Sequence, residues 1–149
     1  MTRLQGEARE VALAEVQAVL WMARDEAMRA RLSELASQVD DGLVDTEGGD
    51  LLEQVLELGL QAGRIRAYYG PGGEQAALKT LRRLPRGQAR SESARDVSEA
   101  LSTLEGHVLE RLSLTAVAPG SFVLSVHAGG LELSVRVDGS GARLASVAA

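Results

Sequence analysis

The chain reads as an α+β protein: helices over residues 1–105 packed on a C-terminal antiparallel β-meander over residues 106–149. Three observations predict this. The apolar residues recur every three to four positions up to about residue 105 and every two positions after it. Glycine-containing turns at 118–120, 129–130 and 139–141 divide the second part into strands of similar length. At 149 residues and 45% apolar content, the chain is long enough to bury a core as a single domain.

The first element is expected to be one long helix over residues 5–38. Leu13, Val16, Leu20, Ala23, Ala27 and Ala30 follow the helical spacing, and no Pro or Gly interrupts the run after Gly6. Such a helix would be about 50 Å long. That exceeds what a domain of this size needs, so its stripe at Val16, Leu20, Ala23 and Ala27 is the expected seam with a second copy. Residues 39–50 read as an acidic loop, with Gly42, Gly48 and Gly49. Asp50 and Glu53 then form a capping box for a helix over 51–68, which Gly70-Pro71-Gly72-Gly73 ends. A short helix over 74–84 is expected to stop at Pro85 and Gly87. After a polar connection at 86–92, Ser93 and Asp96 cap a fourth helix that runs to about 105.

In the meander, Leu112, Leu114 and Ala116 alternate with Ser113 and Thr115. Phe122, Leu124 and Val126 form the next apolar set, then Leu131, Leu133, Val135 and Val137. Residues 142–147 supply a further strand, for three or four in all. One face is apolar and one polar, and the apolar face needs a cover, for which the preceding helices are the obvious source.

Charge is sorted into blocks. Residues 1–32 are neutral, 33–63 carry eight acids and no Lys or Arg, 64–95 carry eight bases and two acids, and 96–149 carry six acids and three arginines, within a net charge of −5. The basic block holds Arg64, Arg66, Lys79, Arg82, Arg83, Arg86 and Arg90, with Tyr68 and Tyr69 beside it. Arginines that neutralise phosphates and tyrosines that stack bases point to a polyanion such as nucleic acid. The competing reading, preferred because the chain as a whole is acidic, pairs the block with the acids at 34–57. Fifteen Arg against one Lys, a single Ile and no Asn indicate a GC-rich, bacterial genome more than a selection for arginine chemistry.

Signals for catalysis are weak. The turn at Gly70–Gly73 follows a helix and matches neither the P-loop nor the dinucleotide spacing. The aspartates at 40–50 fail the EF-hand spacing: counted from Asp41, position 12 is Leu52. His107 and His127 have no metal-ligand spacing, and no serine sits in a nucleophile elbow. No cysteine is present, which fits a reducing compartment. The N-terminus lacks the apolar run of a signal peptide. The sequence therefore predicts a non-catalytic cytoplasmic protein, without metal or cofactor and not at a membrane, that acts by protein–protein contact as a homo-oligomer formed through the long first helix, the sheet edge, or both, in an adaptor, chaperone-like or scaffold role. Nucleic-acid binding through the 64–95 segment is the alternative.

Overall fold

The computed structural model describes residues 1–149 and is α+β. In chain order the elements are β1 (Thr2–Arg3), α1 (Gly6–Met22), α2 (Glu26–Asp41), β2 (Leu43–Val44), α3 (Thr46–Gln61), α4 (Arg64–Arg83), α5 (Pro85–Ser102), β3 (Leu109–Ala118), β4 (Ser121–Ala128), β5 (Leu131–Asp138) and β6 (Gly141–Ala148). Two compact units divide inside α5: residues 1–88 and residues 89–149.

The single long N-terminal helix is corrected to two helices. The break falls at Ala23, Arg24 and Asp25, where the Asp25 carboxylate accepts a hydrogen bond from the Met28 amide at 2.8 Å and caps α2. A straight helix could bury only part of its stripe against a core this small. Two shorter ones bury Val11, Ala12 and Val16 from α1 together with Leu32, Leu35 and Val39 from α2. Arg9 near the start of α1 pairs with Asp40 near the end of α2 at 2.8 Å, so the two run antiparallel.

The expected acidic loop is also largely structured. Asp45, not Asp50, caps α3: its carboxylate accepts from the Gly48 amide at 2.7 Å and from Gln38 Nε2 at 3.0 Å. Gly48 lies where α2 and α3 approach closely, since a Cβ there would come within 2.5 Å of Gln38 Oε1. The expected helix over 51–68 breaks at Gly63, which takes a left-handed conformation (φ 71°), and α4 is kinked at Gly70 (φ 68°). The helix expected to stop at Pro85 does end there, at Arg83 with Leu84 extended, and Pro85 also opens α5, because its missing N–H costs nothing in a first helical turn. The residues expected as a loose connection, 86–92, are helical. A two-residue ladder, Thr2 with Val44 and Arg3 with Leu43, ties the N-terminus to the α2–α3 connection.

The first unit's core is Leu- and Val-rich, built from Leu4, Val16, Leu35, Leu52, Leu56, Ile65 and Leu84 among others. The second unit is the four-stranded antiparallel meander in the order β3-β4-β5-β6, with the C-terminal part of α5. Its own core joins Ala100, Leu101 and Leu104 to Leu124, Val126, Ala128, Leu131 and Leu133.

Candidate interaction surface

The register of the meander sorts its two faces. On one, apolar rows cross all four strands: Leu112–Val126–Leu133–Val147, Leu114–Leu124–Val135–Leu144 and Ala116–Phe122–Val137–Ala142. On the other, a row of hydroxyls runs Ser113–Ser125–Ser134–Ser146, flanked by Thr115–Val123–Arg136–Arg143 and Arg111–His127–Glu132–Ala148. The strict alternation of the sequence fixes this sorting, because side chains two residues apart share a face.

The apolar face is only partly covered. Its middle, Val126, Leu133 and Val135, is buried. Its flanks are open: Leu112 is 58% exposed, Leu114 65% and Val147 60%, with Phe122, Val137 and Leu144 also exposed. Every residue of β3 is exposed. Exposed apolar patches occur at protein and membrane contact sites, at ligand grooves and on aggregation-prone surfaces.

The two edges of the sheet differ. Between Arg111 and Ala116, β3 pairs with β4 without a register shift, and it carries no charge from Leu112 to Ala118 and no proline. Against β5, β6 has a bulge between Ser134 and Val135 that skips Ala145, and it carries Arg143, which reaches Asp138 Oδ2 at 2.9 Å. Bulges and charges protect an edge from pairing with another chain. β6 has both inside the strand, whereas β3 keeps its own at its ends.

At the tip of the β5–β6 hairpin, the Ser140 hydroxyl and amide both donate to Asp138 Oδ1, at 2.5 and 2.9 Å. These two bonds, with Arg143 and Arg136 nearby, hold the Asp138 carboxyl below its ordinary range. Glu110 and His127 approach to 3.8 Å on the polar side.

The expected helical seam has other duties in the first unit. Val16 is fully buried in that unit's core, Leu20 and Ala23 pack against it, and Ala27 is exposed. Ala23 also lines an apolar groove of about 390 Å³ with Val19, Met22, Met28, Leu51, Val55 and Leu58. Trp21, on the same stretch of α1, is 88% exposed.

The basic residues do not form one patch. Arg64 donates through Nε and Nη2 to Glu15 Oε2, at 3.2 and 2.5 Å, and Glu15 is buried. Tyr69, half-buried against the first core, lies close enough to this pair to respond to it. Burial first, and the Glu15 charge second, raise its phenol above the ordinary value. Arg66 lies 3.9 Å from Glu74. Arg86 lies 3.9 Å from both Asp50 and the buried Glu53, and so meets the acidic segment as the pairing reading expects. Tyr68 is exposed. Lys79, Arg82 and Arg83 are exposed and form no ion pair. Lys79 and Arg83 border a shallow depression shared with Glu7 and Gly72, and Arg83 also neighbours Arg3. Arg90 belongs to the second unit, where its side chain runs beside Gly141.

No cluster of three or more His, Cys, Asp or Glu side chains is placed to hold a metal ion, and no helix is long and apolar enough to cross a membrane. No protein-family model, curated protein or solved structure matches the chain.

The residue pattern points to a sheet edge as one candidate joint but does not single out β3 or the open flank at Leu112, Leu114 and Val147. The available signal was in β3: seven successive residues without charge, on a strand at the end of a meander and therefore at a sheet edge.

Proposed function

We propose that this is a non-catalytic protein that acts by protein–protein contact, as a homo-oligomer, through the open apolar surface of its C-terminal meander. The observation that carries the reading is the exposure of Leu112 and Leu114 on one face of an edge strand, in the stretch between its two bulges. Burying that surface releases about 25 cal/mol per Å² of apolar area, and truncating such residues when they are exposed costs a monomer little.

The test is light scattering of the full chain over the micromolar range, with a Leu112→Ser/Leu114→Ser variant beside it. The reading expects a discrete oligomer in the wild type and loss of that oligomer in the variant. It also expects the variant's stability to stay within about 0.5 kcal/mol of wild type under conditions where both are monomeric. A monomer at every concentration refutes it. So does a stability loss of about 2–5 kcal/mol, the signature of core positions.

A polyanion reading is favoured by one observation: Arg83, in no ion pair, borders one depression with Lys79 and another with Arg3, and the exposed Arg82 precedes it in the chain. It requires oligonucleotide binding that weakens steeply with salt and is lost in Arg82→Glu/Arg83→Glu. The protein–protein reading expects no binding near physiological ionic strength.

A further inference from the structure

We infer that the partner is a second copy of this chain, joined edge to edge through β3, so that two meanders form one continuous eight-stranded sheet about a two-fold axis at Leu114. The inference rests on the reading above and adds the partner, the strand and the register.

Four features carry it. First, β3 keeps its bulges and charges at its ends, at Leu109/Arg111 with Glu110 and Arg111 and at Ala116/Ala118, and leaves Leu112–Ala116 regular, uncharged and exposed, whereas β6 is bulged at Ala145 and carries Arg143 inside the strand. Second, the stretch that is both regular and uncharged is 112–116, and its midpoint is Leu114. Opposite residues of an antiparallel pair share a face. Pairing about Leu114 therefore sets Leu114 against the partner's Leu114 and Leu112 against the partner's Ala116, which continues the apolar face across the joint. Third, the same register sets Ser113 against the partner's Thr115 on the polar face, a hydroxyl pair that favours sheet pairing.

Fourth, charge permits self-pairing. Glu110 and Arg111 sit together at one end of β3. In an antiparallel pair the two copies of this doublet fall at opposite ends of the joint, so no like charges meet. A foreign strand would need a matching uncharged, apolar-polar alternation; β3 supplies its own.

The chain has no cysteine, so single cysteines report the geometry directly. Opposite Cα atoms in an antiparallel pair lie about 4.5–5.5 Å apart, inside the range a disulfide spans. Leu114→Cys, Ser113→Cys and Val147→Cys would each be oxidised in the full chain, with circular dichroism to establish that each remains folded. The expected result is fast and nearly complete covalent dimer for Leu114→Cys, with the other two at least tenfold slower.

Preferential cross-linking through Val147→Cys would overturn the choice of edge, and preferential cross-linking through Ser113→Cys would overturn the register. A non-covalent oligomer in which none of the three cross-links rapidly would overturn edge pairing while leaving protein–protein contact intact. A chain that scatters as a monomer and cross-links only at collision rates, its open face then covered from within the chain or by a foreign partner, would overturn the second copy and with it the homo-oligomer of the proposed function.

Discussion

Replacing Arg64 by alanine strips the buried Glu15 carboxylate of the guanidinium that hydrogen-bonds it through two nitrogens. Glu15 is 2% exposed, so water cannot take the place of that partner without opening the packing. Breaking a buried ion pair by removing one member costs about 3–5 kcal/mol. Because the Arg64 side chain keeps a quarter of its surface in solvent, the lower end applies, about 3 kcal/mol. For a cooperative unit of this size that corresponds to a fall of about 12–24 °C in the unfolding midpoint. Gly59→Ala should act on the same spot, since its Cβ would come within 2.5 Å of Glu15 Oε2 and 2.9 Å of Ile65. The assay is urea unfolding followed by far-ultraviolet circular dichroism, on Arg64→Ala, Glu15→Leu and the double variant Glu15→Leu/Arg64→Leu. The double variant should recover most of the loss, because apolar residues of similar volume replace a buried pair at little cost. An Arg64→Ala chain within about 0.5 kcal/mol of wild type would refute the reasoning, since that is the scale of an exposed pair.

Two further predictions concern titration. Asp138 is held below the ordinary carboxylate range chiefly by the Ser140 hydroxyl, then by the Ser140 amide. Its contribution to stability is thus present above the ordinary aspartate value of about 3.9 and disappears as pH falls through the lower, folded value. Ser140→Ala should move the Asp138 titration upward when followed by NMR; an unchanged titration would contradict the assignment of cause. Tyr69 shifts the other way, raised by burial and then by Glu15. The folded state keeps that proton into higher pH than the unfolded state, so the contribution is complete below the ordinary phenol value of about 10 and is lost as pH rises through the folded one. In Glu15→Gln the phenolate absorbance should appear at lower pH than in wild type, but still above the ordinary value because the burial remains.

Much of the fold was legible because its signals are local. The switch of apolar period near residue 106 and the turns at Pro119-Gly120, Gly129-Gly130 and Gly139-Ser140 define the four strands without reference to anything distant. The helical part was read less accurately where tertiary packing overrules local preference. Residues 5–38 have continuous helical periodicity, yet the break at Asp25 lets both halves of the stripe face one core. Gly48 and Gly49 look like loop residues, but they serve helix α3 where α2 and Leu84-Pro85 come close. The same limit applies to the surface. The seam at Val16, Leu20, Ala23 and Ala27 was inferred from the length of a helix that does not exist, and Val16 is spent on the chain's own core. The basic block was read as a unit because its residues are close in sequence. In three dimensions Arg64 turns inward to Glu15, Arg86 turns to Asp50 and Glu53, and Arg90 belongs to the other compact unit. The open flank at Leu112 and Leu114 depends on which strands end up at an edge and how far a helix reaches across the face. Alternation alone encodes neither.

Self-association through the β3 edge is tested most directly by amide hydrogen exchange at two protein concentrations a hundredfold apart. In a lone meander, the amides of 112–116 that point away from β4 have no partner and exchange fast. Edge pairing gives them one. The account predicts that exchange across Leu112–Ala116 slows on concentration while the β6 edge, Leu144–Val147, stays unchanged. Exchange in β3 that is independent of concentration, or protection that grows at β6 instead, would contradict it.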